Sequence, residues 1–243
     1  MSDLKISIIG NGRMGREIES LAPKRKIEVV SVIDPYIDTL AHSYKYKAIS
    51  RQSIKDAEVC IDFTTPDSVI GNIKRVASLK RNIVVGTTGW DEHLDEVREI
   101  VNSSGIGLIY SPNFSPGANL YLKIMEIALR ILGNNPDYDI FGQEMHHREK
   151  SDIPSGTAKT LEKMVKDITG KEIRFSSTRA GHITGTHRVG FDSESDLIEI
   201  THTAKNRRGF ALGALIAAEY IRGKKGLYNQ RDFVNYLMNG KWK

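Results

Sequence analysis

The first half of the chain alternates short apolar segments with longer amphipathic ones. Apolar runs with strand character occupy residues 4–9, 27–33, 59–63, 83–85 and 107–110. Helical periodicity occupies residues 13–21, a stretch that ends at residue 79, and residues 92–102. Strands that alternate with helices in this way predict βαβ units and a parallel sheet. Sheets of this kind bind ligands beyond the carboxyl ends of their strands.

The pattern changes after Asn113. Helices are predicted over residues 118–132 and 157–169, and strands over residues 138–145, 173–177, 186–191 and 197–203. These elements predict a smaller α+β domain with an open mixed sheet, so that the fold class is α/β with a second domain. One face of that sheet must be covered by the two helices or by a second subunit. An Ala- and Gly-rich helix over residues 210–222 is predicted to pack back on the first domain.

Composition and charge narrow the class of protein. No apolar run among the 243 residues approaches the roughly 18 to 20 residues that a membrane helix needs, so we expect no membrane partner. The single cysteine, Cys60, excludes an internal disulfide and favours a cytoplasmic location. The net charge of +5 is compatible with nucleic acid or with small anions. Aromatic residues do not interleave with the basic ones, so we expect no nucleic-acid partner.

A glycine-rich loop follows the first strand and opens the first helix. The segment Gly10-Asn11-Gly12-Arg13-Met14-Gly15 fits the G-x-G-x-x-G pattern that binds a dinucleotide pyrophosphate at a helix N-terminus. Asp34 ends the second strand, where a carboxylate binds the ribose hydroxyls and repels a 2′-phosphate. Arg13 acts in the opposite sense, because a guanidinium pairs with that phosphate. The loop therefore predicts NADH as cofactor, with NADPH tolerated.

A second group of reactive side chains lies between residues 144 and 158. His146, His147 and Lys150 follow one another as a predicted strand ends, and Ser155 is a predicted N-cap of the next helix. The N–H groups near Gly156 and Thr157 would then face an anion. Together these groups predict a pocket for a small acid that receives both charge and a proton. No H-E-x-x-H or C-x-x-C spacing occurs, so no metal is predicted.

These residues resemble one known family, the 4-hydroxy-tetrahydrodipicolinate (dihydrodipicolinate) reductases of the diaminopimelate route to lysine. The resemblance covers almost the whole chain and is most specific at His146-His147-Arg148 with Lys150 and at Pro154-Ser155-Gly156-Thr157-Ala158. Further matching motifs are Gly12-Arg13-Met14-Gly15, Asp62-Phe63-Thr64, Gly86-Thr87-Thr88-Gly89, Asn113-Phe114-Ser115, Arg179-Ala180-Gly181 and Ile200-Thr201-His202. Between Ile173 and Gly181 the chain is much shorter than in enterobacterial-type members.

The resemblance implies both a fold and a reaction. It implies a Rossmann-type domain of residues 1–117 with 207–243, and a substrate and oligomerisation domain of residues 118–206 whose sheet builds a homotetramer. The implied reaction reduces the cyclic dicarboxylate 4-hydroxy-tetrahydrodipicolinate to tetrahydrodipicolinate, with hydride from the nicotinamide C4 of NADH or NADPH. His146 and Lys150 are the implied catalytic residues, with the proton supplied by Lys150 and His146.

The resemblance also implies the two binding sites. The implied substrate-binding residues are His147, Ser155, Gly156 and Thr157. The implied cofactor residues are Gly10, Asn11, Gly12, Arg13, Met14, Gly15, Asp34, Gly86, Thr87, Thr88, Ser111, Pro112, Asn113 and Phe114. Two other classes of protein compete with this interpretation. A dehydrogenase of an amino or keto acid, such as aspartate, would explain the glycine loop but not the His-His-x-x-Lys segment. A non-catalytic dinucleotide sensor would leave Lys150 and both histidines without a role.

Overall fold

A computed structural model of the chain describes residues 4–38 and 43–240. The chain divides into two compact units, with the boundaries between Pro116 and Gly117 and between Asn206 and Arg207. The expected boundary after residue 117 differs from the first of these by one residue, and the helix that contains both positions begins at Pro116. In the part of the chain that the structure describes, no helix is long and apolar enough to cross a bilayer.

The elements follow one another along the chain in a regular order. In chain order they are β1 (Lys5–Ile9), α1 (Arg13–Leu21), β2 (Glu28–Ile33), β3 (Lys45–Tyr46), β4 (Val59–Asp62), α2 (Pro66–Ser78), β5 (Asn82–Val85), α3 (Leu94–Ser104), β6 (Gly107–Tyr110), α4 (Pro116–Leu132), β7 (Asp139–His146), α5 (Gly156–Thr169), β8 (Phe175–Arg179), β9 (Thr186–Asp192), β10 (Leu197–Thr203), α6 (Arg208–Ile221), β11 (Gly226–Tyr228) and α7 (Gln230–Met238).

The first unit is built on a seven-stranded sheet in the order β11-β6-β5-β4-β1-β2-β3. Every neighbouring pair of strands is parallel, which confirms the predicted parallel sheet. The central strands are buried on both faces, as their content of Ile and Val predicts. Because all strands run the same way, the glycine loop, Asp34 and the loops after β4, β5 and β6 lie at the same edge of the sheet.

Helix α6 completes this unit through its small residues. Ala211, Ala214 and Ala218 are fully buried, and a Cβ atom added to Gly213 would lie 1.6 Å from the carbonyl oxygen of Phe114. Glycine at this position therefore lets the helix backbone approach the loop after β6 directly. The predicted return of this helix to the first domain is confirmed.

The second unit is a four-stranded mixed sheet in the order β10-β9-β7-β8. Strand β7 pairs parallel with β8 and antiparallel with β9, which also pairs antiparallel with β10. Helices α4 and α5 cover one face of the sheet, with residues such as Met125 and Leu161 packed against Val189. The other face carries exposed apolar side chains, among them Met145 and Leu197. The predicted open mixed sheet is confirmed, and the shortened 173–181 stretch still supplies the edge strand β8.

Candidate active site

The glycine loop has the geometry that its sequence predicts. Gly10 has a φ angle of 98°, and a Cβ atom there would lie 2.4 Å from the carbonyl oxygen of Phe63. A Cβ atom at Gly15 would lie 2.0 Å from the carbonyl oxygen of Gly10, so this glycine sets the close packing of α1 on β1. At Gly12 a Cβ atom would meet nothing within 4 Å. The backbone at Gly12 is therefore open to an approaching ligand.

Asp34 is tied to this loop through its carboxylate. Its Oδ2 accepts a hydrogen bond from the backbone N–H of Asn11 at 2.8 Å, and its Oδ1 accepts one from the N–H of Tyr36 at 2.9 Å. Arg13 is exposed at the first position of α1, and Met14 is half-buried. The N-cap residue of α1 is Gly12, which provides no side-chain cap, so the first N–H groups of the helix stay available to an anion. This arrangement fits a dinucleotide.

A buried carboxylate that the sequence analysis gave no role organises the next two loops. Asp62, at the end of β4, accepts hydrogen bonds from Thr64 Oγ1 at 2.8 Å, Thr87 Oγ1 at 2.9 Å and Asn72 Nδ2 at 2.8 Å. Burial raises its pKa, and these hydrogen bonds act against the rise. The hydrogen bond to Asp62 therefore fixes the Thr87 side chain, while the neighbouring Thr88 is exposed.

The remaining predicted cofactor residues differ in accessibility. Gly86 lies against the ring of Phe63, where a Cβ atom would clash at 2.2 Å. In the loop after β6, Ser111 Oγ donates a hydrogen bond to the carbonyl oxygen of Asn113 at 2.9 Å. Phe114 is buried, whereas Pro112 is exposed. Ser111 and Phe114 shape the loop from within, and Pro112 and Asn113 form its surface.

The second group of predicted residues lies at the carboxyl end of β7. The buried residues of this strand are the even-numbered ones, so Glu144 and His146 point to the same face. In the strand register His187 of β9 lies opposite Glu144, and Arg179 of β8 lies opposite His146. One acidic side chain is thus surrounded by three basic ones.

Glu144 is fully buried and accepts hydrogen bonds on both carboxylate oxygens. Its Oε1 accepts from Arg179 Nη2 at 2.7 Å and from Ser177 Oγ at 2.8 Å, and the N–H of Ser155 lies 3.2 Å from each oxygen. Burial acts to raise the pKa of Glu144, but the hydrogen bonds from Ser155, Arg179 and Ser177 outweigh it and hold the pKa at about 2. Glu144 is therefore a carboxylate at neutral pH.

Two histidines flank this carboxylate. Glu144 Oε2 lies 3.6 Å from His146 Nδ1 and 3.6 Å from His187 Nε2, which is beyond hydrogen-bond distance. Among residues 4–38 and 43–240, His146 Nδ1 is the one buried side-chain nitrogen or oxygen without a hydrogen-bond partner. Burial lowers the pKa of both histidines, to about 4 for His187, although the charge of Glu144 opposes the shift. Both rings are therefore neutral at pH 7.

The same three side chains also suit a metal ion in their chemistry. The ligand atoms of Glu144, His146 and His187 lie within 4.8 Å of one another, and two imidazoles with a carboxylate are a common zinc-binding set. Arg179, however, already balances the charge of Glu144. The guanidinium disfavours a dication at this place, and the absence of a metal stays a prediction.

The loop between β7 and α5 carries Lys150. Its Nζ is partly exposed and lies 2.6 Å from Asp152 Oδ1. Arg179 reaches into this loop, where its Nε donates to the carbonyl oxygen of Lys150 at 3.3 Å and its Nη2 to that of Asp152 at 2.6 Å. His147 lies just beyond the end of β7 and is half-buried. Because His147 lies outside the strand, the alternation of side chains along a strand does not place His146 and His147 on opposite faces.

Helix α5 begins where this loop ends. Ser155 is its N-cap, as predicted, and Ser155 Oγ accepts a hydrogen bond from the N–H of Ala158 at 3.3 Å. The same hydroxyl lies 2.9 Å from His187 Nε2, and Ser155 is buried. Gly156 is exposed and Thr157 is half-buried. Gly156 and Thr157 are therefore the accessible members of the predicted carboxylate site, while Ser155 supports them.

Sequence reasoning gave no role to Glu144, Arg179 or His187, although Arg179 belongs to one of the matching motifs. Alternation along β7 alone would have placed Glu144 beside His146. The contact between Glu144 and Arg179 joins residues 35 positions apart and needs the register of three strands.

Both parts of the chain match sequence profiles of one family. The profile "Dihydrodipicolinate reductase, N-terminus" matches residues 4–114, and "Dihydrodipicolinate reductase, C-terminus" matches residues 117–234. A 4-hydroxy-tetrahydrodipicolinate reductase from Christiangramia forsetii is 34% identical over 96% of this chain and 99% of its own length. Another from Alkalilimnicola ehrlichii is also 34% identical, over 94% and 97%.

A solved structure agrees with these sequence matches. The dipicolinate-bound dihydrodipicolinate reductase from a Paenisporosarcina species superposes with a TM-score of 0.77 at 25% identity, covering 93% of this chain and 97% of that one. The resemblance seen in the motifs is therefore confirmed along nearly the full length, and with it the expected class of enzyme. The chain belongs to the 4-hydroxy-tetrahydrodipicolinate reductase family, the NAD(P)H-dependent oxidoreductases of lysine biosynthesis.

Proposed function

We propose that the chain performs the family reaction with Lys150 and His146 as its proton-handling residues. The reaction adds one hydride and one proton to an unsaturated cyclic dicarboxylate. The observation that carries the proposal is the gathering of Lys150, His146 and the start of α5 around the end of a single strand, where Arg179 touches the Lys150 loop. A cationic ammonium and an imidazole beside an anion site are what a general acid for a dicarboxylate requires.

The substrate carboxylates are assigned to His147, Gly156 and Thr157. The first-turn N–H groups of α5 offer hydrogen-bond donors and a positive dipole end. Ser155 is assigned to the same carboxylate site, where its hydroxyl caps the helix through Ala158 and contacts His187. Lys150 adds a positive charge to the same region. Binding and orientation of the ring are thus the work of the loop and the helix start.

The cofactor is assigned to the other unit. When bound, the nicotinamide cofactor supplies the hydride from its C4. Asp34 is proposed to take the ribose hydroxyls and the backbone from Gly10 to Gly15 the pyrophosphate, because Gly12 is open and α1 has no side-chain cap. The loops at Gly86, Thr87 and Thr88 and at Ser111, Pro112, Asn113 and Phe114 are proposed to border the nicotinamide.

The proposal extends to setting and assembly. We propose a cytoplasmic homotetramer built through the open face of the second unit's sheet, whose exposed Met145 and Leu197 support burial against further copies. Light scattering on the purified protein tests the tetramer, and a monomer at micromolar concentration would contradict it. Catalysis without a metal is tested by dialysis against a chelator, which we expect to leave kcat unchanged.

Two substitutions separate the roles of the two sites. Lys150→Ala should lower kcat by about 10² to 10⁴, the usual range for a lost general acid. The Kd for NADH should change by less than about threefold, which is roughly 0.7 kcal/mol. Asp34→Ala should instead weaken NADH binding while the chemical step at saturation stays largely intact. Cofactor titration and steady-state kinetics measure both effects.

The matched control is Lys163→Ala, which removes an exposed lysine from α5. We expect its kcat to match that of the unsubstituted protein. A near-normal kcat in Lys150→Ala would mean that another group supplies the proton, with His146 as the next candidate. Loss of NADH binding or of folding in Lys150→Ala would make the lysine structural and end the catalytic assignment.

A further inference from the structure

A buried ion pair lies directly beneath the residues to which catalysis is assigned. Glu144 is fully buried, the Arg179 side chain is 11% exposed, and their Oε1 and Nη2 atoms are 2.7 Å apart. A pair of this kind is costly to bury and is easily replaced by apolar residues of similar volume where only stability matters. Both side chains of the pair also contact residues outside the hydrophobic core.

The acidic end of the pair faces His146. Glu144 Oε2 is 3.6 Å from the buried Nδ1 of His146, which has no hydrogen-bond partner. A carboxylate at this place favours the imidazole form that carries its hydrogen on Nδ1, and it stabilises the ring when the ring becomes charged. The same form leaves Nε2 as the nitrogen that can accept a proton. Gly185 keeps space for this orientation, because a Cβ atom there would lie 3.0 Å from Nε2 of His146.

The basic end of the pair holds the loop that carries Lys150. Arg179 donates hydrogen bonds to the carbonyl oxygens of Lys150 and Asp152, at 3.3 Å and 2.6 Å. Asp152 in turn lies 2.6 Å from Lys150 Nζ. The planar guanidinium thus contacts the carboxylate and both loop carbonyls at once, which a lysine ammonium cannot reproduce with the same geometry. The Arg179 side chain therefore links this loop directly to β7 and β8.

We propose that Glu144 and Arg179 form one positioning unit that holds His146 and Lys150 in fixed relation to each other. Glu144 orients the imidazole from behind, and Arg179 fixes the lysine loop to the same carboxylate. Neither side chain is required to touch the substrate. The inference rests on the proposed proton-handling roles of His146 and Lys150 and adds the residues through which those roles depend on each other.

The test uses the full-length enzyme with two variants. Glu144→Gln keeps the size of the side chain and removes its charge, and Arg179→Lys keeps the charge and removes the planar set of donors. We expect kcat to fall about 10- to 100-fold in each, because displacement of reacting groups by less than 1 Å has effects of this order. The Kd for NADH should stay within about threefold, since the cofactor site lies in the other unit. Circular dichroism and thermal unfolding establish that each variant is folded.

Two readouts separate positioning from mere structural support. Because the neutral imidazole is the form whose Nε2 can accept a proton, the acidic limb of the kcat/KM profile reports protonation of His146. This limb should move to lower pH in Glu144→Gln, because removal of the carboxylate removes the charge that supports protonation of His146. In Arg179→Gly, added guanidinium ion should restore part of kcat. If Arg179→Gly does not fold, Arg179→Lys and Glu144→Gln carry the test through kcat and the pH profile.

The matched control is Arg130→Gln on α4, where the arginine forms an ion pair with Glu126 at the surface. Its kcat should stay within about twofold of normal. Folded Glu144→Gln and Arg179→Lys variants with kcat within about threefold of normal and an unmoved acidic limb would overturn the positioning unit. Lys150→Ala, measured in parallel, distinguishes the two proposals. A near-normal kcat in Lys150→Ala contradicts the assignment of the proton to Lys150. A large loss of kcat in Lys150→Ala together with active Glu144 and Arg179 variants contradicts only the positioning unit.

Discussion

We expect Asp34 to determine how the enzyme distinguishes its two possible cofactors. Its carboxylate is fixed beside the glycine loop by the N–H groups of Asn11 and Tyr36, so it cannot easily turn away from a 2′-phosphate. Arg13, exposed in the same loop, attracts that phosphate. We predict that kcat/KM for NADH is at least comparable to that for NADPH, and that Asp34→Ser raises the NADPH-to-NADH ratio by about tenfold, or 1.4 kcal/mol.

Steady-state kinetics with both nucleotides checks this prediction. Arg13→Ala serves as the opposing control and should reduce turnover with NADPH more than with NADH. A wild-type enzyme that prefers NADPH tenfold or more would show that Arg13 dominates and that the carboxylate argument is wrong.

At this scale the sequence predicted the reactive groups better than their surroundings. His146, Lys150 and the glycine loop are recognisable because each belongs to a local pattern of a few residues. Asp62 and Arg179 act on partners that are distant in sequence, so their roles appear only when strands are placed side by side. The resemblance also assigned Ser155 to the substrate, and this assignment stays a prediction; the Ser155 hydroxyl contacts the N–H of Ala158 and His187 Nε2.

The N-terminus of α5 is the element that should determine substrate choice. Its accessible N–H groups at Gly156 and Thr157 lie near the loop of Lys150 and respond to charge and ring shape. We predict that pyridine-2,6-dicarboxylate inhibits competitively with the substrate, and that pyridine-2-carboxylate inhibits at least tenfold more weakly. The matched pair of compounds keeps the ring and removes one carboxylate. Equal inhibition constants in the steady-state assay would contradict a site for two carboxylates.

Helix α6 provides a second prediction at the scale of elements. Alanine normally stabilises a helix by about 1 kcal/mol relative to glycine. At Gly213 the added Cβ atom would lie 1.6 Å from the carbonyl oxygen of Phe114, so Gly213→Ala should lower Tm by several degrees or prevent folding. Gly71→Ala in α2 is the matched control, since a Cβ atom there meets nothing within 4 Å, and it should raise Tm slightly. A Tm for Gly213→Ala at or above the wild-type value would contradict direct packing of α6 on this loop.

The elements that sequence reasoning missed are short or lack apolar periodicity. Strands β3 and β11 have two and three residues and are half-buried, so they exist because neighbouring strands supply hydrogen-bond partners. Helix α7 was also missed, although Asn229 and Asp232 form a capping box that the sequence displays. The long elements were predicted to within a few residues because their burial pattern follows their period.

The stability of the whole chain should depend on pH through the buried group around Glu144. His187 has a pKa of about 4 in the folded protein, below its usual value of 6.5, because burial disfavours the charged ring. The unfolded chain therefore takes up a proton first as pH falls. The stabilisation is complete above pH 6.5 and is lost progressively between pH 6.5 and 4, by up to about 3 kcal/mol. The lowered pKa of Glu144 has the same sign and acts in the lower window between pH 4.5 and 2.

Urea denaturation at about pH 7.5, 6.0, 5.0 and 4.5, values that span the window in which His187 titrates, measures this dependence. We predict that the free energy of unfolding of the wild type decreases as the pH is lowered. The decrease should be smaller in His187→Gln, which removes the buried titratable ring. His182→Gln, which replaces an exposed histidine of the same unit, should keep the wild-type slope. If two transitions are resolved, the pH-dependent one belongs to residues 117–206, because the buried histidine lies there. An identical dependence of the unfolding free energy on pH in His187→Gln and the wild type would mean that His187 is protonated equally in the folded and unfolded states. Its environment would then not be the buried one on which the candidate site depends.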